Sequence, residues 1–145
     1  MKVRAVIIFA LALAALSAAA EDRFKVIAHP SVPVTSAAIS DLSQIFLKKI
    51  TTYEKWGSAQ RAVPVDLGGD SPTRESFTRS VHGKALTAIK SFWQQAIFSG
   101  RGTPPVELSS DAEVIALVAR TPGAIGYVSA DTLLPTTVIQ VHLTR

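Results

Sequence analysis

The chain has 145 residues, 48% of them apolar and 18% charged, with a formal net charge of +4 and no cysteine. This length suits one domain that buries a core without disulfides, and the missing cysteines exclude thiolate metal sites and cysteine nucleophiles. No run of Lys or Arg exceeds two residues, which argues against a nucleic-acid footprint.

The first twenty residues read as an export leader. Lys2 and Arg4 give a positive start, Ala5 to Leu16 is an uncharged apolar run, and Ala18-Ala19-Ala20 fits a small-residue cleavage site. Charge, apolar stretch and small-residue exit in that order mark a secretory signal peptide. The apolar run is shorter than the roughly 20 residues that a membrane span needs. Cleavage before Glu21 is expected, leaving residues 21–145 as a single periplasmic or secreted domain without a membrane span. Without Lys2 and Arg4 the count is 13 basic residues against 11 acidic, a net +2.

Phe24 to Ala28 is a short apolar run stopped by His29-Pro30, and reads as a buried strand. Ser31 to Ala38 reads as a loop. A helix follows, with Ser40 as its cap, Asp41 in its first turn and Lys48-Lys49 in its last, as the helix dipole favours. Ile39, Leu42, Ile45, Phe46 and Ile50 mark its apolar face. Thr51 to Arg61 is polar and ends the unit. In the strand Ala62 to Leu67, alternation places Val63, Val65 and Leu67 on one face. After the turn Gly68-Gly69-Asp70, Ser71 caps a helix with Pro72 at its first position. Phe77 and Val81 form its buried side, and His82-Gly83 ends it. The next helix carries Leu86, Ile89, Phe92 or Trp93, and Ile97, followed by a loop from Ser99 to Pro105. Ser110 and Glu113 form a capping box, ahead of the stripe Val114, Leu117 and Val118. Pro122-Gly123 halts that helix, with Gly123 expected at positive φ. Ala124 to Val128 and Val138 to Leu143 read as two more strands. This mixed order predicts an α/β fold, a small open mixed sheet with helices on both faces.

The three histidines, His29, His82 and His142, share no metal-ligand spacing and read as surface or turn residues. No G-x-S-x-G elbow supports a serine nucleophile, so an enzyme is not expected. Gly100-Arg101-Gly102-Thr103 lacks the phosphate-loop pattern and reads as a flexible link. No cofactor or metal is expected. The candidate site is the turn from strand to helix at Gly69, Asp70, Ser71, Thr73 and Arg74. Free N–H groups at a helix start, two hydroxyls and a guanidinium suit a small anion; a well-capped helix without ligand uses the same residue types.

Ile45-Phe46-Leu47-Lys48-Lys49-Ile50-Thr51 with Trp56, and Thr121-Pro122-Gly123-Ala124-Ile125-Gly126-Tyr127-Val128, resemble two segments of the phosphate-type (PstS-like) periplasmic solute-binding proteins of ABC transporters. Ser71-Pro72-Thr73 falls where that family has its serine-glycine-threonine anion motif. Phe98 to Pro105 resembles short, single-domain relatives. The resemblance runs from about Phe24 to Ala130 and implies one domain of a type 2 periplasmic binding protein. The sequence departs from the pattern at Leu67, where the family has an arginine, at Pro72, where it has the motif glycine, and at Lys48, where it has a glycine. The resemblance implies weak recognition of phosphate or a similar small anion through Ser71, Thr73 and Arg74, in a setting of phosphate ABC transport. The alternative is a protein-interaction module that keeps the fold, has lost its ligand and docks onto an envelope or transporter protein.

Overall fold

Alternation of apolar residues along short strands, and their recurrence at helical spacing between them, builds a six-stranded mixed sheet sandwiched by helices. The computed structural model describes residues 23–145; the leader reading of residues 1–20 lies outside them. In chain order the strands are β1 (Phe24–Ala28), β2 (Ser36–Ala38), β3 (Val63–Leu67), β4 (Val106–Leu108), β5 (Ala124–Ser129) and β6 (Ile139–Thr144). The helices are α1 (Ile39–Phe46), α2 (Pro72–Phe77), α3 (Leu86–Phe98) and α4 (Asp111–Arg120).

The sheet order is β2-β6-β1-β5-β3-β4. β1 is antiparallel to both β5 and β6, whereas β3 runs parallel to β5 and β4. Successive strand residues face opposite sides, and β5 shows what each side holds. A Cβ at Gly126 would lie 3.0 Å from Val114 Cγ1, so α4 covers the Gly126 side closely. Tyr127, one residue on, faces the other side and stacks on Phe77 at the end of α2, with ring centroids 3.8 Å apart. Phe24 and Phe46 close around the same pair. Helices therefore pack on both faces, as the alternating order predicts.

β1 and β5 agree with the sequence reading to within a residue, because both are buried and strongly apolar. Ser71 caps α2 and Ser110 caps α4, as their residue types predict. Other expectations are corrected. The Ser31–Ala38 loop ends in β2, which pairs in parallel with β6. α1 starts directly from that strand at Ala38, without a side-chain cap, so Ser40 lies inside the first turn. α1 ends at Phe46, which places Lys48 and Lys49 beyond the helix. On α3 the open choice falls on Trp93, which is buried, while Phe92 and Ile97 are exposed. β4 carries no local signal in the sequence, since Val106–Leu108 is short and largely exposed.

Candidate functional site

β3 delivers Leu67 to the turn Gly68-Gly69-Asp70, and Ser71 turns the chain into α2. Ser71 Oγ accepts the Arg74 N–H at 3.1 Å, which fixes the first turn. Gly69 takes a positive φ of 72°, a conformation that favours glycine. The six-residue helix then aims Arg74 inward. Its guanidinium donates to Glu107 Oε1 at 2.9 Å and to the Gly69 carbonyl at 3.3 Å, and lies 3.9 Å from Asp66 Oδ2. Only 5% of the Arg74 side chain is exposed, against 43% for Glu107.

Asp66 and Glu107 stand opposite each other on β3 and β4, so parallel pairing brings both carboxylates to one face beside Arg74. Tyr127 Oη donates to Asp66 Oδ1, and the Leu67 N–H reaches the same carboxylate oxygen at 3.0 Å. Burial, more than any neighbouring charge, pushes the Asp66 carboxyl and the Tyr127 phenol above their ordinary pKa values. Asp66 stands next to the last residue of β3, so Arg74 meets the sheet near the carboxyl end of that strand.

No protein-family model matches this chain, and no curated protein does. Solved structures do. An ABC-type phosphate transport receptor from Vibrio cholerae superposes with a TM-score of 0.64 at 20% identity, over 84% of this chain and 46% of its own. A putative phosphate ABC transporter substrate-binding protein from Clostridium perfringens, solved with bound phosphate, gives 0.64 at 22%, over 84% and 45%. PstS from Borrelia burgdorferi gives 0.59 at 17%, over 85% and 47%. The chain shares the fold of part of these proteins. It spans less than half the length of these neighbours.

Within this fold, Gly69, Asp70, Ser71, Thr73 and Arg74 lie together at one end of the sheet, as their adjacency in sequence requires. Their side chains do not converge on one point. Ser71 is engaged as a cap, and Asp70 pairs at 2.6 Å with Lys90 of α3, whose hydrogen bond and charge hold the Asp70 carboxyl below its ordinary pKa. Leu67 is 4% exposed in the core and brings no charge to the position where the resemblance has arginine. Arg74, entering from α2, is the cation here, and two carboxylates already face it. Asp66, Glu107 and Tyr127 were missed from the sequence. Asp66 breaks an otherwise apolar strand, which is the one local signal; Glu107 sits on β4, a strand too short and exposed to be read from sequence.

The histidines are placed individually. His29 Nδ1 lies 2.8 Å from Ser31 Oγ, and His142 is exposed on β6. His82 departs from the surface reading: it is partly buried, 2.7 Å from Ser43 Oγ on α1. Burial, with a smaller contribution from Lys84, holds its pKa down to about 4. Among the described residues no group of three or more His, Asp or Glu side chains is arranged to hold a metal ion, and no helix is long and apolar enough to cross a membrane.

Proposed function

We propose that this protein is an exported, non-enzymatic binding domain that takes phosphate or a similar small oxyanion weakly at the Gly69–Arg74 turn. The observation that carries this reading is the Arg74 guanidinium, held in place at the carboxyl end of β3 beside the exposed Gly69-Asp70 turn. The Clostridium perfringens neighbour, solved with phosphate, supports the class of ligand. A partly solvated site with carboxylates nearby gives little net attraction. The expected affinity is therefore no better than roughly millimolar to high micromolar, about 4–6 kcal/mol. Transport linkage would require a transporter or envelope protein as partner.

A second reading is an interaction module that has lost its ligand. It is favoured by the pairing of Arg74 with Glu107, which leaves the cation already neutralised. Phosphate titration of the domain, followed through the backbone amides of residues 69–75, separates the two. Saturable shifts of those amides support the anion site, with Arg74→Ala weakening them and Arg101→Ala, on the loop after α3, mattering less. Amides that stay still in the folded protein favour the docking module.

A further inference from the structure

Resting on the anion-site reading, we infer that the Glu107 carboxylate is a built-in competitor that occupies the Arg74 guanidinium and must move aside before a free oxyanion binds. Three observations carry this. First, Arg74 is a buried cation whose carboxylate partner at hydrogen-bond distance is Glu107, at 2.9 Å. A carboxylate oxygen there makes the charge-assisted contact that a phosphate oxygen would make. Second, the two partners differ in freedom. Arg74 is fixed by its place in α2 and by the Gly69 carbonyl, whereas Glu107 is 43% exposed and stands on β4, the edge strand of the sheet. A Cβ at Gly68 would lie 3.6 Å from Glu107 Oε2, so the side chain lies along the glycine turn that an incoming ligand approaches. Third, Asp66 cannot move aside in the same way, since Tyr127 and the Leu67 N–H hold it inside the sheet.

With Glu107 inward, the guanidinium is met by two carboxylates, whose charge offsets its attraction for a further anion. With Glu107 turned outward, Asp66 remains at the longer distance of 3.9 Å, and one face of the guanidinium is open. Ligand affinity is then reduced by the population of the inward state.

Glu107→Gln tests this. The amide keeps an acceptor for Arg74 but removes the charge that competes, and circular dichroism and the melting temperature check that the fold is kept. Glu54→Gln is the control, because Glu54 is an exposed carboxylate next to Tyr53, which bonds the Gly123 carbonyl at the amino end of β5, away from Arg74. With inorganic phosphate as the probe, followed by the amides of residues 69–75, Glu107→Gln should bind at least tenfold more tightly than the wild type, and Glu54→Gln within threefold of it. Equal affinity of Glu107→Gln and wild type overturns the competitor and leaves the anion site standing. Equal tightening by both variants also overturns it, by showing a general charge effect. If no variant responds to phosphate, the competitor and the anion-site reading both fall.

Discussion

Lys48 stands where the solute-binding segment it resembles has glycine, and its backbone explains why glycine suits that place. Its φ is +56°, the one positive value at a non-glycine among the described residues. The Lys49 N–H bonds the Gln44 carbonyl at 2.8 Å and the Lys48 N–H bonds Ile45 at 3.0 Å, which is a Schellman closure with Lys48 at C′. A lysine there carries left-handed strain that glycine lacks. Lys48→Gly should therefore raise stability by about 0.5–1 kcal/mol, net of the flexibility it adds to the unfolded chain. Urea unfolding checks this, and a lower midpoint would refute it. Gly123 is the opposite case. Its φ is +81°, and a Cβ would stand 2.2 Å from the Arg61 carbonyl oxygen. Its own carbonyl accepts from Val63 N and from Tyr53 Oη. Strain and overlap together predict that Gly123→Val destabilises by about 2–4 kcal/mol. His82 supplies a pH dependence. Its folded pKa of about 4 lies below the ordinary 6.5, so the unfolded chain binds the extra proton. Stability from this group is complete above pH 6.5 and is lost as the pH falls toward 4, by up to about 3 kcal/mol. Asp66, shifted upward, works in the opposite direction at lower pH. The difference between wild type and His82→Gln across pH 7 to 4 isolates the histidine, and parallel curves would remove the argument.

Among the elements, α3 is held differently from the rest. Three of its four buried residues, Ile89, Trp93 and Ala96, form a small cluster of their own, joined by Leu47, apart from the main core. Phe98 is 94% exposed and Ile97 55%. A helix tied by so few apolar contacts opens at lower free energy than the strands beneath it. Hydrogen exchange should show α3 amides opening well below the global limit, while those of β1 and β5 open only with the whole fold. Trp93→Ala should lower protection throughout α3 and cost about 1–3 kcal/mol, below the usual range for a fully buried tryptophan. Phe77→Ala, which removes the ring stacked on Tyr127, should cost about 3–5 kcal/mol and weaken every element. Equal effects of the two variants would show that α3 belongs to the main core.

At the scale of the whole molecule, export is the expectation that places this domain in its setting. Secreted material should begin at Glu21 within a residue or two, and intact mass decides it. A mass that includes residues 1–20 would show an uncleaved leader. The fold places β3 and β4 side by side in parallel, and so gathers Asp66, Glu107 and Arg74 at one end of the sheet.

The sequence by itself determined the elements whose signals are local. Ser71-Pro72 and Ser110 mark helix starts through caps that involve residues within one turn. The apolar runs at Phe24 and Ala124 specify strands because they bury on both faces, and Pro122-Gly123 marks a stop that its positive φ requires. The same local reading found the Gly69–Arg74 turn, since its members are neighbours in the chain. The tertiary structure decided the rest. β2 exists because β6 offers it a partner about a hundred residues away, and no local preference of Ser36-Ala37-Ala38 forecasts that. Phe92 and Trp93 fit a helical stripe equally well, and only packing against Leu47 distinguishes them. Arg74 looks in sequence like a cation free for a ligand. Its charge is met by Glu107, 33 residues away, because strand pairing, which acts through space rather than along the chain, sets that carboxylate against it.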